Sequence, residues 1–228
     1  MTSVMKNIGF AISNWSTYSL NWLQHKVCTG YCDSATTYST FSNIKITTGV
    51  DTAITEDTTE TGESTEPTTD VPVKPATIYP SLEVAVDDVA RTLYVHYPDW
   101  CDNISAINRK LSFDYNNRMY LSTVEKADPT KYFKANLLGG SISFDVDISM
   151  SGCGCLTALY TVAMPATENS WDEFKYCDAN QVGGYFCPEF DIMEANRHAY
   201  RSTAHSCERS ASAGFGGSAL YPNCDRDG

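Results

Sequence analysis

The residues most able to do chemistry sit in one short run, Cys187-Pro-Glu-Phe-Asp-Ile-Met-Glu-Ala-Asn196. Glu189, Asp191 and Glu194 are its three carboxylates, and the residues between the acids are mostly apolar. Alternation along a regular strand puts Glu189 and Asp191 on one face and Glu194 on the other. A β-bulge at Ile192–Met193 returns Glu194 to the first face, so that three acids line one wall of a groove. Two carboxyls about 5–5.5 Å apart across a glycosidic bond perform retaining hydrolysis, one ionised and attacking, the other protonated and donating. The third acid can share a proton with the attacking group, and mutual repulsion lifts the pKa of the donor. A solvated strand face and a calcium loop compete with this reading. Calcium loops carry Gly and Asn at fixed offsets, and the apolar spacing of these acids favours catalysis.

The elements that must hold this run are strands. Thr92–Tyr97 is β-branched and aromatic, and Lys110–Leu121 carries Asn116-Asn117 between two apolar runs, a hairpin-like signal. Ser141–Ser149 alternates, with Ile142, Phe144, Val146 and Ile148 on one side, which predicts a strand with one buried face. Leu156–Met164 is almost continuously apolar and suits a strand covered on both faces, ended by Pro165. Strands between turn signals, without a long amphipathic helix, predict an all-β domain of sandwich type.

Three segments are expected. Residues 78–228 form the catalytic piece. Residues 47–77 read as a disordered linker or insertion: from Thr47 to Asp70, ten of 24 residues are Thr and seven are acidic, too little apolar surface to offset ordering entropy. Residues 1–46, with Trp15, Trp22, Cys28 and Cys32, are either the end of an upstream module or a stapled part of the main domain.

The net charge of −12 disfavours nucleic acid and anionic membrane surfaces and suits a neutral polysaccharide. Nine cysteines without a zinc-ribbon pattern point to disulfides in an oxidising compartment, the odd count leaving at least one thiol without an intrachain partner. Sequons at Asn14 and Asn103 agree with secretion. Met1–Leu23 lacks the apolar core of a signal peptide, so the expectation is a secreted protein whose natural N-terminus lies upstream. Gly183-Gly184 and Gly216-Gly217 are too short for phosphate loops, so no cofactor is expected, and the chemistry requires no metal.

From Leu111 onward the chain resembles glycoside hydrolase family 7, the fungal-type cellulases, within a clan that includes the family 16 β-glucanases. The likeness rests on ordered pieces: Ser143-Phe-Asp-Val-Asp-Ile-Ser149, Cys153, Ala158-Leu-Tyr160, Tyr176-Cys-Asp178, Glu189 to Asn196, Ala204-His-Ser-Cys207 and Cys224-Asp-Arg-Asp-Gly228. It implies a concanavalin-like β-sandwich (jelly roll), incomplete at the C-terminus. It makes Glu189 the nucleophile, Glu194 the acid/base and Asp191 the assisting carboxylate. Tyr160, Tyr176 and Asp178 would hold sugar, and His205 would sit beside the acid/base. The family pattern pairs Cys177 with Cys187 and Cys207 with Cys224, and gives Cys153 a much later partner that this chain lacks. The implied activity is secreted, monomeric, endo-acting cleavage of β-1,4-glucan, because the nine residues between Cys177 and Cys187 replace a long loop and open the cleft. A family 16 type β-1,3 or mixed-linkage glucanase and an inactive glycan-binding chain are the alternatives.

Overall fold

The computed structural model describes residues 8–16, 32, 35–49, 77–164, 173–180, 182, 187–205 and 225–227, the first and last of these segments as backbone only. The expected linker lies almost wholly outside the described residues, as do Trp22, Cys28, Cys207 and Cys224. The described chain is all-β, without an α-helix. Its strands are β1 Ile8–Ser16, β2 Tyr38–Thr47, β3 Ser81–Val86, β4 Val89–His96, β5 Ser105–Ile107, β6 Lys110–Asp114 and β7 Asn117–Ser122. They continue with β8 Lys134–Ala135, β9 Ser141–Asp147, β10 Cys155–Val162, β11 Glu189–Asn196, β12 Ala199–His205 and β13 Asp225–Asp227.

Hydrogen bonding links these strands along one path, β13-β12-β11-β10-β1-β7-β4-β3-β2-β6-β5, with β8 attached to β1 and β9 to β2. The path doubles back on itself. Phe41 and Ile46 of β2 and Leu111 and Phe113 of β6 share one apolar core with Leu159 of β10 and Met193 and Ala195 of β11, although these strands are far apart along the path. Ser39 Oγ of β2 meets Thr157 Oγ1 of β10 at 2.7 Å across that core. β9 has the expected alternation, with Ile142, Phe144 and Val146 half-buried against the core and the residues between them exposed. β10 is buried at every position, as its apolar run predicts.

The sequence places a hairpin over Lys110–Leu121, and the structure does not pair those strands. β6 joins β2 and β5, whereas β7 joins β4 and β1. The turn is there, with Asn116 at φ 62°, but it carries the chain from one part of the sheet to another. Asn117 holds that corner: its amide donates to Asp114 O at 3.0 Å and its side-chain oxygen accepts from Asp102 N at 3.0 Å. A true two-residue hairpin lies earlier in the chain, between β3 and β4. Asp87 and Asp88 both take positive φ between β3 and β4, the conformation that matches strand twist.

The N-terminal segment contributes strands to this sheet. β1 lies between β10 and β7, and β2 pairs with β3, β6 and β9. A disulfide between Cys32 and Cys155, with Cα atoms 4.5 Å apart, ties the chain before β2 to the start of β10. Cys153 is also disulfide-bonded. Its bond is therefore not the one to the much later residue of the family pattern. Cys101 is buried, its thiol donating to Arg118 O at 3.5 Å and its sulfur accepting from Arg118 N at 3.4 Å.

Candidate active site

β11 carries the bulge that its sequence requires. Against β10, Glu194 pairs with Ala158, Met193 with Leu159 and Asp191 with Tyr160, so Ile192 is the extra residue. Against β12, Glu189, Asp191 and Glu194 stand opposite His205, Thr203 and Arg201, with the register shifting between Asp191 and Glu194. Residues directly opposite one another share a face. The three acids therefore lie on one face, together with Tyr160 of β10 and Arg201, Thr203 and His205 of β12. Met193 and Ala195 point the other way into the core, and Ile192 packs against it.

Each acid has its own partners. Glu189 Oε2 accepts from Ala179 N at 2.9 Å. Its carboxyl is held well above the usual range, first by burial and then by the charges of Asp191 and Asp178. Asp191 is buried and its Oδ2 lies 2.9 Å from His205 Nε2. Glu194 Oε2 lies 3.3 Å from Arg201 Nε and accepts from Thr203 Oγ1 at 3.4 Å. Burial and then the charge of Asp191 push this carboxyl up to about 7, against the opposing pull of Arg201. Such a group is a general acid in mildly acidic water.

A buried polar chain flanks Glu189. Tyr160 and Tyr176 hydroxyls meet at 3.1 Å, and Tyr176 donates to Asp178 Oδ2 at 2.9 Å. Asp178 Oδ1 accepts from Val182 N at 2.9 Å. Burial raises both tyrosines and is the largest influence raising Asp178. The Arg118 guanidinium lies 3.7 Å over the Tyr176 ring. Tyr79, Tyr120, Tyr132 and Phe174 pack around these groups. The Cys177–Cys187 disulfide, with Cα atoms 5.5 Å apart, fastens this segment to the start of β11, and Cys187 N donates to Asp178 O at 3.0 Å.

The structure thus brings Glu189, Asp191, Glu194, His205, Tyr160, Tyr176 and Asp178 into one neighbourhood. His205 bonds the middle carboxylate, Asp191, and stands across from Glu189. Tyr160, Tyr176 and Asp178 are nearly inaccessible and hold one another. Sequence reasoning missed Arg201 and Thr203. The alternation Arg201, Thr203, His205, read back from the histidine, was the signal that could have found them. Arg118 carries no local signal. Among the described residues, no group of three or more His, Cys, Asp or Glu is placed to hold a metal ion.

Comparison with known proteins bears on this geometry. The chain is 30% identical over 122 residues to "Probable endo-beta-1,4-glucanase celB" of Aspergillus clavatus, covering 44% of this chain and 29% of that protein. It is 36% identical over 120 residues to "Endoglucanase EG-1" of Trichoderma longibrachiatum, covering 41% and 26%. It is 31% identical over 163 residues to "Exoglucanase GH7B" of Limnoria quadripunctata, covering 51% and 36%. Over about half of its length the chain is therefore similar to cellulases of glycoside hydrolase family 7. It spans about a third of the length of the curated family 7 relatives it matches. No family model and no solved structure matches it.

Proposed function

We propose that this chain carries the catalytic face of a secreted, monomeric β-1,4-glucan hydrolase that cuts internally with retention, on a concanavalin-like β-sandwich (jelly roll). The observation that carries the reading is the bulge at Ile192–Met193, which gathers Glu189, Asp191 and Glu194 on one face. Likeness to endoglucanases supports the substrate class, and the disulfides suit an oxidising compartment.

In the first step a carboxylate oxygen of Glu189 attacks the anomeric carbon. The bond to the leaving glucan breaks, and Glu194 gives its proton to the departing oxygen. In the second step Glu194, now ionised, takes a proton from water. The water oxygen displaces Glu189, and both acids return to their starting states. Glu189 must be ionised to attack, yet burial and two neighbouring acids favour its protonated form. Asp191 resolves this by sharing the proton, while His205 of β12 holds Asp191. Tyr176 and the Ala179 amide keep Glu189 and its surroundings in place.

The test is a reducing-sugar assay of the protein on carboxymethylcellulose and laminarin. Release from carboxymethylcellulose with rapid loss of viscosity is the expected result. Release from laminarin alone moves the activity to β-1,3-glucan. Binding without release from either polymer identifies an inactive glycan-binding chain.

A further inference from the structure

Both side-chain partners of Glu194 fall on the same oxygen. Arg201 Nε lies 3.3 Å from Oε2, and Thr203 Oγ1 donates to that oxygen at 3.4 Å. Thr203 Oγ1 in turn accepts from Arg201 Nε at 2.7 Å and from Arg201 Nη2. Register explains the grip, because Arg201 stands directly across from Glu194 and Thr203 is the next residue of β12 on that face. Arg201 is 5% exposed and Thr203 1%. A guanidinium buried this deeply, with its Nε and Nη2 turned to Thr203 and Glu194, is a fixed part of the site's wall.

A cation and a hydroxyl donor on Oε2 stabilise negative charge there. The transferable proton is then carried by Oε1. We infer that Arg201 is the positioning residue of the acid/base: with Thr203 it anchors Glu194 by Oε2, presents Oε1 as the proton-carrying oxygen, and sets the upper end of the working pH range. This rests on the hydrolase reading for its meaning, though not for its measurement. Glu194 faces Asp191 and Glu189 on its own strand, Arg201, Thr203 and His205 from β12, and Ala158 and Tyr160 from β10. Burial and the charge of Asp191 favour the protonated form of Glu194. Arg201 is the strongest influence favouring ionisation, ahead of His205 and Thr203.

The experiment follows the Glu194 carboxyl by carbon-13 NMR against pH in the full chain, with Glu194→Gln assigning the resonance. In Arg201→Met the midpoint is expected to rise by about one pH unit or more, the effect of removing a close opposite charge. Thr203→Val is expected to raise it by a smaller step. In the unmodified protein the Arg201 Nε–H resonance is expected to move with the same midpoint as Glu194. An unmoved midpoint in Arg201→Met overturns the inference. Should that variant not fold, an Arg201 resonance indifferent to the Glu194 titration overturns it instead. Where turnover is measurable, the alkaline limb of kcat/KM should move up in Arg201→Met. An unmodified protein that cleaves no glucan defeats the hydrolase reading, while the titration still decides the role of Arg201.

Discussion

His205 Nε2 lies 2.9 Å from Asp191 Oδ2, reaching diagonally past Glu189, the residue it faces in register. The bond gives a buried carboxylate its side-chain partner and fixes the middle acid between the two working ones. Replacing His205 with Phe leaves Asp191 buried without that donor, which should cost about 1–3 kcal/mol of stability. Turnover should drop roughly 10–1000-fold, with KM little changed, because the loss falls on proton handling rather than on sugar contact. Steady-state kinetics with denaturant unfolding would check both. An equal rise in KM would reassign His205 to substrate binding.

Glu189→Gln should reduce turnover by roughly a thousandfold or more while glucan binding persists. The amide keeps the size of the carboxyl but cannot attack the anomeric carbon. Affinity gel electrophoresis in a soluble β-glucan, run beside the activity assay, separates the two outcomes. Comparable activity in the variant would remove Glu189 from the nucleophile's role.

Burial and Asp191 raise the folded Glu194 carboxyl to about 7 from an ordinary 4.5. Between those values the folded protein holds a proton that the unfolded chain has released. The stability from this group is therefore complete below about 4.5 and is lost as pH rises through 7. Glu189 and Asp178, also raised, act in the same direction. His96 acts oppositely: burial keeps its imidazole neutral, so acid destabilises it. Glu194→Gln isolates one contribution. Relative to the variant, the unmodified protein should lose about 2–3 kcal/mol between pH 5 and 8. Urea titrations at the two pH values measure this, and a pH-independent difference would show that Glu194 is not raised.

Replacing both Cys177 and Cys187 with Ser opens a loop of ten residues' separation. Chain entropy alone predicts a loss of about 2–3 kcal/mol. Activity should suffer more than stability, because the same segment supplies the Ala179 amide to Glu189. Unfolding and turnover measured together would reveal it. Full activity in the double variant would mean that the amide contact survives without the crosslink.

Some of this molecule was legible because the physics is local. The alternation of Ser141–Asp147 and the unbroken apolar run of β10 announce a half-buried and a fully buried strand without reference to anything distant. The spacing of Glu189, Asp191 and Glu194 demanded a bulge, because an acid carried on the core face would be buried among Met193 and Ala195. The Lys110–Leu121 hairpin failed for a related reason. A turn residue such as Asn116 specifies a reversal of direction, not which strand the returning chain will join.

The sequence by itself determined the all-β class, the acids and their shared face, since side-chain alternation and one extra residue are enough to settle which way each group points. Only the tertiary structure decided that Arg201 and Thr203 hold Glu194, that His205 takes Asp191, that Arg118 covers Tyr176, and that strands from the N-terminal segment complete the sheet. Those contacts depend on register between strands distant in the chain. Register is set by the summed burial of two whole faces, which no short stretch of residues encodes.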